Sequence, residues 1–280
     1  MICCNKYEKR CSSATPILLV FLIDQNIDDT QQPQRVSDII NRIIDSIILM
    51  NFDGDAPKNR CFISVIGYNH NVNELCSGWL KELEDKPLHL ETLKKKLPDG
   101  VGGICEVEVK QPIWVEPITQ DGATNMLGAL QLAKDLAGKW ITDNLDGPAP
   151  VIINISDGVP FYDGKDPLDC IKECQLAARD LMNLYSEDGC VRLYNATLKL
   201  STPTLNNKHL VIEEFISSIS SEMPYVLVAE FQILASKYEL ELPNTISSGY
   251  IYSEHMVDLR KFIRIILGEV FSHIAGVCYI

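Results

Sequence analysis

Apolar and polar positions alternate along this chain on two different periods. The run Ile17–Ile23 is apolar throughout and stops abruptly at Asp24-Gln25-Asn26-Ile27-Asp28. A short unbroken apolar run bounded by polar residues predicts a strand buried on both faces. Cys61–Tyr68 and Val151–Ser156 read the same way, and a further strand is expected over Cys190–Leu200. Between the first two runs, Val36, Ile39, Ile40, Ile43, Ile44, Ile47 and Ile48 fall at steps of three and four, which predicts an amphipathic helix over 34–50. Similar stripes predict helices from about 124 to 137, over 168–187 and over Val257–Phe271, with a last short strand at Gly249–Tyr252. Strands alternating with helices predict a mostly parallel sheet covered on both faces.

Two stretches are less regular. Asn69-His70-Asn71 has the residues of a tight turn, so Val72–Leu75 is expected to return as a short antiparallel edge. Residues 77–121 read as an insertion: a short helix at Leu88–Leu97, then an exposed hairpin from Ile104–Val109 and Ile113–Val115, with Trp79 and Trp114 as packing anchors. Residues 201–247 hold an amphipathic piece near Val211–Ile219 and a helix near 225–237. The expected organisation is a polar, flexible arm over 1–14 and one domain over 15–280. That domain carries the insertion at about 77–121 and an elaborated C-terminal part at about 201–255.

The net charge of −13 argues against a general nucleic-acid or anionic-membrane surface. Lys94-Lys95-Lys96 is the obvious local exception and reads as an exposed helix face. The N-terminus shows no long apolar segment of the signal-peptide kind, and the run at 17–23 is too short to span a bilayer, so a cytoplasmic protein is expected. Ten cysteines then read as reduced thiols. Cys170 and Cys174, one helical turn apart, read as packing residues, and the five histidines show no metal-ligand spacing.

The chemistry gathers at strand ends. Open α/β sheets bind ligands outside the C-terminal ends of their strands. Asp24 ends one buried strand, Asp157-Gly158 follows another, and Gly122-Ala123-Thr124 opens a helix. Asn26 and Asp28 are spaced to turn the same way as Asp24. Together these five oxygen-bearing residues suit a hard divalent cation. Singly, Asp24 and Asp157 can instead cap backbone N–H groups, and Thr124 can serve as a helix N-cap.

With those residues in view, the sequence resembles the von Willebrand factor A-type domain. The metal-ion-dependent adhesion site of that family is D-x-S-x-S, a distal Thr and a distal Asp. The resemblance is to its bacterial cytoplasmic branch, which includes members associated with tellurite resistance and stress. It rests on FLIDQ at 21–25, SVIGY at 64–68, the GW pair at 78–79, GATNMLGAL at 122–130, ISDGVP at 155–160, SSEMP at 220–224 and SGYIYSEH at 248–255. It implies a Rossmann-like three-layer α/β/α sandwich, mostly parallel with one antiparallel edge strand. It also implies a non-enzymatic, protein-binding role as a cytoplasmic adaptor or assembly factor in a stress or resistance system. The partner would be a protein, such as a kinase or phosphatase encoded nearby. The metal ligands it implies are Asp24, Asn26, Asp28, Thr124 and Asp157, holding one Mg²⁺ or Ca²⁺.

The site departs from the family pattern, because Asn26 and Asp28 replace both serines. Asp24, Asp28 and Asp157 then bring three negative charges to an ion of charge two. At an effective dielectric of about 20, one extra charge at ~4 Å is worth about 4 kcal/mol before screening. A partner carboxylate is repelled, which leaves two alternatives: a structurally held ion, or a loop scaffold that has lost it. A Mg²⁺-dependent phosphohydrolase is the rival from another class. Asp24, Asp28, Asp157 and Asp163 resemble the haloacid-dehalogenase pattern, but Asn26 stands where that chemistry needs a second, proton-transferring Asp.

Overall fold

The apolar run at the start of the chain is a strand whose eight residues, Ile17–Asp24, are all buried. Its odd positions (Ile17, Leu19, Phe21, Ile23) enter one apolar cluster and its even positions (Leu18, Val20, Leu22) enter another. One strand thus feeds two cores, as the centre of a sheet covered on both sides must. The computed structural model describes residues 7–25, 32–98, 103–117, 122–157, 160–162, 164–198, 214–221, 249–253 and 256–271.

In chain order the elements are β1 (Ile17–Asp24), α1 (Gln32–Met50), β2 (Cys61–Tyr68), β3 (Val72–Trp79), α2 (Leu80–Asp85), β4 (His89–Pro98), β5 (Ile104–Ile113), α3 (Met126–Asp143), β6 (Val151–Ser156), α4 (Pro167–Met182), β7 (Arg192–Leu198), β8 (Tyr250–Ser253) and α5 (Met256–Val270). Six strands form one sheet in the order β3-β2-β1-β6-β7-β8, while β4 and β5 pair only with each other. All neighbours in the large sheet are parallel except β3, which runs antiparallel to β2. With the β4–β5 hairpin set aside, this is the doubly wound strand order with one reversed edge strand.

The helices fall into two layers. Apolar residues of α1, α2 and α5 pack with the odd face of β1. Those of α3 and α4 pack with its even face, joined by Phe215, Ile216 and Ile219. The expected α/β/α sandwich is therefore found. Trp114 is buried and its Nε1–H donates to the Leu83 carbonyl at 2.7 Å. Trp79 stacks edge-on against Phe62 at 5.4 Å, with Trp140 at 5.6 Å from Trp79. Both tryptophans are packing anchors, as expected.

Several local expectations are corrected. Leu88–Leu97 is not a helix: β4 occupies 89–98 and pairs antiparallel with β5 over ten residues. Lys94 and Lys96 accordingly sit exposed on a strand, opposite Glu108 and Glu106, rather than on a helix face. The edge strand β3 extends to Trp79, and the short helix α2 follows it. Helix α4 ends at Met182, where the Asn183 N–H closes onto the Arg179 carbonyl. Apart from these corrections, the described part of the N-terminal stretch makes hydrogen bonds from Tyr7 onward. The Tyr7 N–H donates to the Asp188 carbonyl at 3.0 Å, the Lys9 N–H to the Asp188 carboxylate at 2.8 Å, and Cys11 is buried in the core. The helix expected near 225–237 lies outside the described residues.

Burial pushes the thiols of Cys11 and Cys174 up to about 12. Cys170 is equally enclosed. Cys170 and Cys174 are packing groups, as the sequence suggests.

Candidate functional site

Asp24 is the last residue of β1 and pairs in register with Tyr68, the last residue of β2. Asp157 directly follows β6, the neighbour of β1 on its other side. Two parallel neighbours ending at one level bring both carboxylates to the C-terminal rim of the sheet. Asp24 is buried and Asp157 half-buried. Both act on one group: the hydroxyl of the fully buried Tyr68 is held well above its usual range, first by burial, then by the charges of Asp24 and Asp157.

Backbone hydrogen bonds lace the surrounding loops. The Gln25 N–H donates to the Tyr68 carbonyl at 2.8 Å, which ties the end of β1 to β2. The Asn125 N–H donates to the Asn69 carbonyl at 2.8 Å, which ties the loop before α3 to the turn after β2. The Thr124 N–H donates to the Phe161 carbonyl at 2.8 Å and the Phe161 N–H returns to the Thr124 carbonyl at 3.3 Å. That pair joins the Gly122-Ala123-Thr124 segment to the loop after β6. The Tyr162 hydroxyl accepts from the Leu127 N–H at 2.8 Å and reinforces the joint.

Two glycines make the fit possible. Gly122 has φ +147°, in the region that favours glycine, where the chain turns into α3. A Cβ on Gly67 would meet the end of the Gln25 side chain at 2.7 Å, so a larger residue there would displace the Gln25 amide that lies across the strand. Thr124 is buried but is not the N-cap of α3. That role belongs to Asn125, whose side-chain oxygen accepts from the Gly128 N–H at 2.9 Å. Capping therefore does not account for Thr124.

Asp24 at the end of β1, Thr124 before α3 and Asp157 after β6 stand on segments that these hydrogen bonds link through β2 and its following turn. Asn26 and Asp28 lie outside the described residues, as do Asp121 and Asp163. Among the described residues, no group of three or more His, Cys, Asp or Glu is placed to hold a metal ion. What is described is two carboxylates and a hydroxyl, a hard oxygen donor set of the kind Mg²⁺ and Ca²⁺ take.

Sequence reasoning missed the polar groups beneath this rim. The Tyr68 hydroxyl donates to Asn154 Oδ1 at 2.8 Å, and Asn154 Nδ2 donates to Asn195 Oδ1 at 2.9 Å. Asn195 Nδ2 in turn donates to Ser220 Oγ at 2.9 Å. The ladder runs from β2 over β1 to β6, β7 and the segment after 214–218. Its available signal was a lone asparagine inside each of two apolar strands, VIINIS and RLYNATL.

No protein-family profile matches this sequence, and no curated protein does. Solved structures do resemble the chain. The pilus adhesin SpaC from Lactobacillus rhamnosus GG, in its open conformation, aligns with a TM-score of 0.56 at 10% identity, covering 95% of this chain and 31% of the adhesin. A second form of SpaC gives 0.53 at 10% identity, over 95% of this chain and 32% of that one. The mussel byssus proximal thread matrix protein 1 with zinc occupied MIDAS motif gives 0.48 at 10% identity, over 94% of this chain and 49% of that one. The chain thus spans about a third of the adhesin's length. With the strand order above, the likeness to SpaC defines the fold: a Rossmann-like α/β sandwich. Among the described residues no helix is long and apolar enough to cross a membrane.

Proposed function

We propose that this chain is a non-enzymatic protein–protein interaction module. In this reading it is a cytoplasmic adaptor or assembly factor in a bacterial stress or resistance system. Its partners are proteins, a kinase or phosphatase among the candidates, rather than nucleic acid or membrane. The observation that supports the reading is the laced rim: backbone hydrogen bonds link the end of β1, the segment before α3 and the loop after β6, and Asp24 and Asp157 both act on the Tyr68 hydroxyl. A rim fixed this way is a preorganised surface, which lowers the ordering cost of binding a partner.

In the same proposal Asp24, Thr124 and Asp157, with Asn26 and Asp28, hold one Mg²⁺ or Ca²⁺. Three carboxylates neutralise the ion within the chain, so it stiffens the rim and does not capture a partner's carboxylate. The test is calorimetric titration of Mg²⁺, Ca²⁺ and Mn²⁺ into chelator-stripped protein. Saturable binding is expected, lost in Asp24→Ala. No heat with any ion, together with an unchanged melting temperature, would sink the metal assignment and leave the rim as a scaffold. Mg²⁺-dependent phosphatase turnover abolished by Asp24→Asn would overturn the non-enzymatic reading in favour of the phosphohydrolase.

A further inference from the structure

On the α1/α5 side of the sheet, a cleft of about 270 Å³ opens between these helices and the root of the hairpin. Its polar lining is Arg42, Asp45 and Ser46 from α1, Gln111 from β5, and Arg260 and Arg264 from α5. The spacing explains the convergence. Positions 42, 45 and 46 share one helix face, and so do 260 and 264. The inward faces of the same helices are apolar and buried, through Ile40, Ile44 and Ile47 on α1 and Phe262, Ile263 and Ile266 on α5. Packing those stripes onto the sheet leaves the arginine faces flanking one cleft.

Two observations set this cleft apart. First, three guanidinium groups and one carboxylate give it a local charge near +2 in a chain of net charge −13. None of the three arginines takes part in the ion pairs seen among the described residues, whose cations include Lys9, Lys58, Lys134, Lys165 and Lys172. Secondly, Gln111 is 5% exposed, and its Nε2 donates no hydrogen bond among the described residues. A buried amide facing a cleft lined by unpaired guanidinium groups is a set of donors lacking an acceptor.

We propose that this cleft binds a small phosphate-bearing dianion, clamped by Arg42, Arg260 and Arg264 and oriented by the Gln111 amide. Guanidinium forks pair with phosphate oxygens two at a time, which an ammonium cannot do. A dianion matches the local charge of about +2, whereas a monocarboxylate leaves half of it uncompensated. The volume suits inorganic phosphate or a phosphate monoester with a short organic tail. Asp38 and Glu91 line the adjoining recess beyond Arg42 and Gln111. They bound the positive region, so the ligand sits on the α5 side of Gln111.

The test titrates inorganic phosphate and, separately, glycerol phosphate into the full chain by calorimetry, with succinate as the control anion. Tighter binding of the ester than of inorganic phosphate identifies an organic phosphate as the ligand, and the reverse identifies the free ion. Binding of at least one probe is expected to weaken about tenfold or more in Arg42→Ala and in Arg264→Ala, the loss typical of a charged hydrogen-bonded pair. Arg264→Lys is expected to weaken it too, since it keeps the charge and loses the fork. Asp24→Ala is expected to leave it unchanged, which separates this cleft from the rim. The three arginines are exposed, so their variants should melt like the parent protein. No saturable binding of either probe up to about 10 mM would overturn the proposal. So would binding indifferent to both alanine substitutions, or succinate binding as tightly as phosphate.

Discussion

Across the sheet under α3 and α4, the buried Tyr68, Asn154 and Asn195 pass hydrogen bonds from one strand to the next and on to the half-buried Ser220. On the hairpin, Lys94 stands opposite Glu108 and Lys96 opposite Glu106, all four exposed. Both regions are β-structure with polar side chains in register, but the surroundings reverse what those groups contribute. In the sheet each donor has given up water, so a missing partner is costly. In the hairpin water replaces any partner that is removed, and the charges serve mainly solubility and the protection of open edges.

The largest expected effect comes from cutting the ladder at its centre. Asn154→Leu strands the Tyr68 hydroxyl without its acceptor and Asn195 Oδ1 without its donor. At ~1–3 kcal/mol for each buried unsatisfied group, the loss should be about 3 kcal/mol in urea unfolding. Tyr68→Phe removes one donor and should cost about 1–2 kcal/mol. Combined with Asn154→Leu it should cost clearly less than the sum, because the two changes share one bond. Strict additivity would show that the ladder is not a connected unit, and the contrast with the hairpin would lose its basis.

The second prediction concerns the root of the hairpin, on the opposite face of the sheet from the ladder. Asn41 of α1 holds the hairpin root: its Oδ1 accepts from the Trp114 N–H at 2.9 Å and the Val115 N–H at 3.0 Å, and its Nδ2 donates to the Val115 carbonyl at 2.8 Å. Asn41→Ala should cost roughly 2 kcal/mol by leaving buried backbone groups unpaired. Amide exchange should quicken at Trp114 and Val115 first. If the ladder amides exchanged equally early, the hairpin would be continuous with the sheet rather than a separately anchored appendage.

The same contrast explains what could be read from the sequence. The strands β1, β2 and β6 were legible nearly to the residue because a doubly covered parallel strand is a continuous apolar run. The hairpin was not. In His89–Pro98, three consecutive lysines mask the alternation, and Leu93 and Leu97 fall at helical spacing. Only the ten-residue pairing with β5 settles that segment as a strand, and pairing is a long-range fact. At the rim, Asp24, Thr124 and Asp157 were legible because each breaks an apolar pattern at a strand end or a helix start. The ladder was not, since a single asparagine in a buried strand shows no partner until the strands are laid side by side. The arginine cleft was hidden for a related reason: Arg42 and Arg264 are ordinary outer-face residues on helices 222 positions apart in the chain (264 minus 42).

The smallest expected effect tests the hairpin's surface charges directly. Lys94→Ala and Glu108→Ala should each change stability by no more than about 0.5 kcal/mol, and their coupling in a double-mutant cycle should be of the same order. Added salt should erase that coupling, since it screens exposed pairs. The ladder's coupling between Tyr68 and Asn154 should survive the same salt, because neither partner carries a charge and both are buried. Thiol labelling gives an independent reading of the same asymmetry. The exposed Cys105 on β5 should be modified in the folded protein, while the buried Cys170 and Cys174 on α4 should resist until it unfolds. A salt-resistant coupling at Lys94–Glu108, or a Cys105 as slow to react as Cys174, would show that the hairpin is covered in solution. Its open edges would then belong to a contact surface in solution.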